Sequence, residues 1–394
     1  DFPESVFKQQ KQKRNSIDHP LVLDRRVSDV IMERDVMLHF PYHYFNPVID
    51  LLREAAIDPA VTSIRITCYR LAEQSRIINA LINAVRNGKQ VTVMLELSAR
   101  FDEEANLEWK ERLEDEGVKV LIGVPGMKVH AKLCIIKKRM NDRSVQYGFV
   151  STGNLNEKTA RLYADHCLLT SNQKIMADVN RIFNFLEQPK TGEHWLRQCK
   201  TIIPSPIGTR RFISKQIMHE IKNAKRKKPA QITLKMNSLS DQELIEQLHE
   251  AAKAGVEIRL IVRGIFCMLS ENSKFKKKIN AISIIDEYLE HARVWVFHNG
   301  GKEKVYISSA DWMVRNLDHR IEATCPVTEE SVKNELMDIL NIQLSDTVKA
   351  RILNNELNNE YVKAGKGKKK IRSQIETYQY LYKKTLTHSE TGSH

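Results

Sequence analysis

The chain repeats one strand–helix–strand unit, and that repeat limits its fold more than any other feature. Ser63–Tyr69 alternates and is rich in β-formers. Ile77, Ile78, Leu81, Ile82 and Val85 then fall at helical spacing, Gly88 stops the helix, and Val91–Leu97 reads as the next strand. The unit returns at Ile232–Met236, followed by the capping-box pattern Ser240-Asp241-Gln242-Glu243. A helix with Leu244, Ile245, Leu248 and Ala251 on one face ends at Gly255, and Val256–Val262 is again a strand. Aligning Gly88 with Gly255 sets Arg70 opposite Asn237 and Glu96 opposite Arg263. A unit of this length requires a right-handed crossover between parallel strands. The expected class is therefore α/β, with two similar domains in tandem. Residues 1–18 read as a linker, 19–200 as the first domain and 201–394 as the second, which ends in a helical tail carrying Ile375, Tyr378, Leu381 and Tyr382. The seam is expected near Thr201–Pro206.

Composition narrows the function. Of 394 residues 42% are hydrophobic, enough for buried cores, and no apolar run is long enough to span a bilayer. The start, Asp1-Phe2-Pro3-Glu4, has no signal-peptide pattern. The six cysteines form no C-x-x-C pair, and most sit in apolar runs such as Leu133-Cys134-Ile135, which points to a reducing cytoplasm. A net charge of +13 calls for a polyanionic partner or a lysine-rich surface. The runs Lys225–Lys228 and Lys276–Lys278 read as solvated loops or as a polyanion path.

His130-Ala131-Lys132 lies in an apolar strand, so His130 and Lys132 share a face. An imidazole can attack phosphorus while an ammonium offsets charge on phosphoryl oxygens. The polar turn Ser151-Thr152-Gly153-Asn154 follows a hairpin whose turn is expected over Lys137–Arg143, and Asn154 can add a donor. The set resembles the phospholipase D superfamily, whose two half-domains each carry H-x-K-x4-D and a G-x-x-N-type turn. That resemblance implies two tandem phospholipase D-like domains, mixed sheets flanked by helices, and a cleft between them. Two departures stand out. Lys137 occupies the Asp slot, and the second half aligns Lys302-Glu303-Lys304, which has no histidine, with the motif.

A further set of motifs covers almost the whole chain: Glu33-Arg34-Asp35-Val36, Phe40-Pro41-Tyr42-His43, Ala99–Asn106, Lys128–Lys132, Glu157–Arg161, Val262-Arg263-Gly264, Tyr288–His291, Ser308–Met313 and Ser345–Arg351. In number and order they resemble the C-terminal catalytic half of bacterial polyphosphate kinases. The resemblance implies reversible transfer of the ATP γ-phosphate to inorganic polyphosphate through a phosphohistidine, with ATP/ADP and Mg2+ as cofactors. It also implies missing N-terminal and head domains, of which residues 1–18 are a remnant, a homo-oligomer in the full-length enzyme, and no nucleic-acid partner. A cytoplasmic enzyme, with peripheral membrane association still open, is the compartment expected.

Carried onto this chain, the resemblance makes His130 the nucleophile and Tyr163, Arg263 and His291 nucleotide contacts. Arg70 and Arg100 match metal-associated positions. Arginine has no lone pair to offer a cation, so both are expected on phosphate oxygens that also bind Mg2+. His291 is alternatively an acid or base for the leaving group. Lys132, Asn154, Arg161, Lys302 and Lys304 are further phosphate-binding candidates. Asp165 and Glu322 either orient a catalytic imidazole or pair with Arg161 and Arg320. A phosphodiesterase or nuclease and a non-enzymatic polyanion binder are the alternative classes.

Overall fold

The computed structural model describes residues 15–68, 75–96, 103–141 and 143–391. Arg70 and Arg100 lie outside them. Two mixed sheets carry the described chain. The first runs Val36–Phe40, Tyr163–Thr170, Arg143–Ser151, Lys132–Met140, Val61–Cys68, Gln90–Leu95, Lys119–Ile122. The second runs Ala350–Ile352, Asn280–Ile284, Glu257–Val262, Gln231–Met236, Arg293–Phe297, Lys304–Ser308, Arg320–Val327, with Ile203–Ser205 also paired to the last of these. Each repeated unit forms its parallel pair, Ser63–Cys68 with Gln90–Leu95 and Gln231–Met236 with Glu257–Val262. The mixed α/β architecture expected from the repeat is the one observed.

The halves also exchange strands. Lys128–Val129 leaves the first half to pair in parallel with Arg320 and Ile321 of the second. Leu289–Glu290 returns the exchange on Tyr163 and Ala164. Both two-residue strands are followed by His-Ala-(Lys/Arg): His130-Ala131-Lys132 and His291-Ala292-Arg293.

Alternation along the strands separates three apolar layers. Cys134 and Ile136 face outward beneath the helices Asn46–Ile57 and Arg76–Arg86, while Leu133 and Ile135 face inward. Trp295 and Phe297 face outward to Thr209–Lys225 and Gln242–Ala254, while Val294 and Val296 face inward. The inward faces and the helices Gln173–Glu187 and Glu330–Leu344 share one buried cluster. The halves are thus fused by a core.

Local expectations are shifted in three places. The capping box moves by one residue: Asp241, not Ser240, is the N-cap and accepts from Leu244 N at 3.1 Å. At Asn46-Pro47, where the sequence suggests an Asn N-cap with Pro at the first helical position, the N-cap is instead Phe45, and the Asn46 side chain accepts from Arg76. The expected basic turn Lys137–Arg143 is mostly strand. Pairing runs out to Met140↔Arg143, and the chain reverses at Asn141, with φ 45°. β-sheet hydrogen bonding there outweighs the solvation of the lysines.

One buried ion pair braces the exchange. Lys235 and Glu290 are paired with side chains 2% and 1% exposed, and Gln343 and Gln374 also donate to Glu290. Removing one partner of such a pair strands the other charge. Glu290→Ala should cost about 3–5 kcal/mol in urea denaturation, and most of that should return in a Lys235→Met/Glu290→Leu double variant. A loss below about 1 kcal/mol would contradict this account of the pair.

Candidate active site

The exchanged strands deliver two histidines to one place by the same local device. His130 N and Ala131 N both donate to Ile321 O, at 2.8 and 2.9 Å. His291 N and Ala292 N both donate to Ala164 O, at 3.1 and 2.8 Å. Each imidazole is then held by a carboxylate at the third position of the facing strand. His130 Nδ1 lies 2.8 Å from Glu322 Oε2, and His291 Nδ1 lies 2.8 Å from Asp165 Oδ2. The open choice for Asp165 and Glu322 thus falls to the imidazoles in the geometry. Each carboxylate is fixed in turn by a hydroxyl: Thr152 donates to Asp165 at 2.6 Å, and Ser309 donates to Glu322. Asn316 adds a donor to Glu322 at 2.6 Å. Gly153 permits the close approach of Asp165, since a Cβ there would overlap the carboxylate.

A carboxylate accepting from Nδ1–H fixes the tautomer and puts the imidazole lone pair on Nε2. His tautomers follow here from the hydrogen-bond partners. Both lone pairs thus lie on the side of the ring away from the carboxylates.

Cations surround the imidazoles. Lys132 is 1% exposed and donates to His130 O. Arg293, its counterpart in the second half, donates to His291 O at 2.8 Å and sits 3.2 Å from His291 Nε2. Asp311 holds Arg293 at 3.1 Å. Arg263 donates twice to Asn237 Oδ1, at 2.9 and 2.6 Å. Tyr163 packs on His291 with ring centroids 5.2 Å apart. Asn154 Oδ1 is buried with no hydrogen-bond partner among the described residues. Arg161 is exposed at the end of the turn Thr159–Arg161, just before Tyr163.

Burial pushes the His130 imidazole far below the ordinary histidine range, and Lys132, Arg293, Arg320 and His291 push it further. Burial also lowers His291, against the opposing pull of Asp165. Burial would raise Asp165, but His291, Thr152 and Arg293 hold it below the ordinary carboxylate range. Lys132 is brought down by burial to about 7, and Glu322 is brought up by burial to about 7, so the two titrate as a coupled pair near neutrality.

Two sequence expectations are corrected. Lys302 and Lys304 are not in the motif slot. They sit at the far end of the Arg293–Phe297/Lys304–Ser308 hairpin, where Lys304 pairs with Phe297, four strand residues from Arg293. The slot belongs to His291-Ala292-Arg293, so the second half does carry a histidine motif. An arginine in place of the lysine, and a hairpin aligned one strand too late, hid it. Thr152, Ser309, Asn237, Arg293 and Asp311 were not singled out for the site; comparing H-x-K with H-x-R would have found Arg293.

Comparison with known proteins agrees with this arrangement. The family described as polyphosphate kinase C-terminal domain 1 matches residues 26–192, and polyphosphate kinase C-terminal domain 2 matches residues 202–374. The chain belongs to the polyphosphate kinase family, as its C-terminal part. A polyphosphate kinase of Escherichia coli O6:H1 is 47% identical over 362 residues, 92% of this chain and 52% of that protein. One from Vibrio cholerae is 48% identical over 355 residues, 90% of this chain and 50% of that protein. The chain therefore spans about half the length of the curated relatives it matches. A crystal structure of polyphosphate kinase from Porphyromonas gingivalis aligns with TM-score 0.87 and 41% identity over 95% of this chain and 56% of that one. A phosphatidylserine synthase structure from Haemophilus influenzae aligns with TM-score 0.58 and 12% identity over 91% of this chain and 94% of that one, a likeness of fold. The two tandem phospholipase D-like domains expected from sequence are thus the fold.

Among the described residues no group of three or more His, Cys, Asp or Glu side chains could hold a metal ion. Asp165 and Glu322 are committed to imidazoles, and Asp311 to Arg293 and the Asn237 and Ser238 amides. The described side chains therefore do not form a ligand set for Mg2+. No helix among the described residues is long and apolar enough to cross a membrane.

Two outcomes test the site's electrostatics. Asp165→Asn removes the group that raises His291, so the His291 midpoint followed by NMR should move to lower pH; an upward move would contradict the assignment. His43, His130, His166 and His291 all have depressed values in the folded chain. The unfolded chain takes up their protons first, so the histidines' contribution to stability is full above about 6.5 and falls as pH drops below it, by up to about 1.4 kcal/mol per pH unit for each histidine, with the raised Glu322 offsetting part of the loss. Urea denaturation at pH 7.5 and 5.5 should show this loss, and equal stabilities would contradict it.

Proposed function

We propose that the chain is the catalytic half of a polyphosphate kinase, moving the γ-phosphoryl group of ATP to a phosphate polymer through a phosphohistidine on His130. The observation that carries this reading is His130 itself: its Nδ1 is tied to Glu322 and its imidazole is kept neutral by burial and by Lys132 and Arg293. A neutral imidazole with its lone pair on Nε2 is the nucleophilic form.

In the first step Nε2 attacks the γ-phosphorus, the bond to the β-phosphate oxygen breaks, and ADP leaves. In the second, a terminal oxygen of the polymer attacks the same phosphorus, the N–P bond breaks, and the lone pair returns to Nε2. In reverse, the polymer phosphorylates ADP. Such transfers need positioning and charge stabilisation more than covalent help. Lys132 and Arg293 are the groups assigned to the equatorial oxygens. Glu322 steadies the imidazole as charge develops on it. His291, with Asp165 behind it, serves the leaving or entering oxygen as acid or base or contacts the nucleotide, and Tyr163 and Arg263 border it on the nucleotide side. Arg70 and Arg100 remain proposed phosphate contacts. Mg2+ belongs in this reading with the nucleotide, and no step is routed through it. ATP as substrate favours the cytoplasm as the compartment.

The second histidine motif favours a second reading, hydrolysis of a phosphodiester by a His pair, because both halves present a carboxylate-held imidazole. One experiment separates the two. Incubation with γ-labelled ATP and Mg2+ should give acid-labile label on the chain and none on His130→Ala. Equal label on both proteins, or cleavage of a generic phosphodiester without ATP and no label, would overturn the kinase reading.

A further inference from the structure

A second basic feature lies at the opposite end of the first sheet. A groove of about 620 Å3 is lined by Arg65, Lys89, Lys119 and Lys137, with Thr92 and Glu187 among the other groups. Arg65, Lys119 and Lys137 gather near one carboxylate, while Lys89 donates its ammonium to Asp58 O at 2.6 Å. Glu187 is shared, 2.8 Å from Lys119 and 3.4 Å from Arg65. Arg65 is otherwise held by the side-chain oxygens of Asn180 and Asn184, at 2.7 and 3.0 Å. These neutral acceptors orient the guanidinium without cancelling its charge.

Lys137 is the telling residue. It is half-buried, and its ammonium has no hydrogen bond or ion pair among the described residues. Burial, and then repulsion from Arg65, lower its affinity for a proton, against a smaller opposing pull from Glu187. A lysine in a loop would shed that cost by turning to solvent, whereas Lys137 is pinned in a strand opposite Ser63. Like charges held together in a half-buried groove are destabilising unless an anion joins them.

The groove is also in line with the catalytic strand. Thr67, whose hydroxyl donates to Ala131 O beside His130, shares a strand face with Arg65 and Ser63. On the neighbouring strand Lys132 begins the run that ends in the groove at Lys137. The two lysines are five positions, about 17 Å, apart along that strand and so point to opposite faces of the sheet.

We propose that this groove is a second binding site for the phosphate polymer, holding a stretch of chain away from the reacting terminus. The inference rests on the reading of the chain as a polyphosphate kinase. Lys137, Lys119 and Arg65 contact phosphate oxygens, and long polymers gain affinity by occupying cleft and groove together. Short oligophosphates and ATP reach only one.

The test measures binding of long-chain polyphosphate, tripolyphosphate and ATP over a range of salt. It compares the chain with Lys137→Gln/Lys119→Gln and with the control Lys276→Gln/Lys277→Gln. The groove variant should bind long polymer about tenfold more weakly with a salt slope smaller by about two charges, while tripolyphosphate and ATP are unaffected. Unchanged long-polymer binding, or a loss matched by the control, overturns the groove. The same preparations are labelled with γ-labelled ATP. Label on His130 with an inert groove sinks this inference alone, whereas no label and no polymer binding sinks the function it rests on.

Discussion

The hydrogen bonds between Ile321 O and the His130/Ala131 amides, and between Ala164 O and the His291/Ala292 amides, are the constraint on which the site depends. Each histidine is placed by the sheet of the other half and steadied by a carboxylate from it. Neither half holds a complete site. The strand exchange, the shared apolar cluster and the buried Lys235–Glu290 pair fix one half against the other, so the cleft is preorganised rather than assembled at each turnover.

Electrostatics follow from that placement. Burial dominates the imidazoles and keeps them neutral, and the nearby cations reinforce this. The carboxylates escape the same penalty through hydroxyl, amide and imidazole donors. A site built this way has neutral imidazoles and positive surroundings together, the combination that the proposed attack on a phosphate anion requires. Part of the +13 charge is therefore organised: Lys132, Arg293 and Arg263 in the cleft, and Arg65, Lys119 and Lys137 in the groove.

Much of the fold was legible because its signals are local. The repeated unit, its glycine stops and its alternating strands each follow from short-range pattern, whereas His130-Ala131-Lys132, expected within one strand, spans the break between Lys128–Val129 and Lys132–Met140. What escaped depends on contacts distant in sequence. The exchange of Lys128–Val129 and Leu289–Glu290 leaves no periodic signature in two residues. The pairing of His130 with Glu322 spans 192 residues and that of His291 with Asp165 spans 126. The mistaken use of Lys302 and Lys304 came from aligning the hairpin one strand too late, whereas the structural equivalence is set by the strand that follows the histidine. The buried group of His39, His43 and His166 carried no sequence signal beyond the histidines themselves.

The central claim is that one phosphoryl group is exchanged at His130 within a cleft to which both halves contribute. A crystal structure of the chain with ADP and vanadate tests it most directly. The account places vanadium in line between His130 Nε2 and the ADP β-phosphate oxygen, with Lys132 and Arg293 on its equatorial oxygens. Vanadium bonded to His291 with His130 uninvolved, or bound outside the cleft, would contradict it.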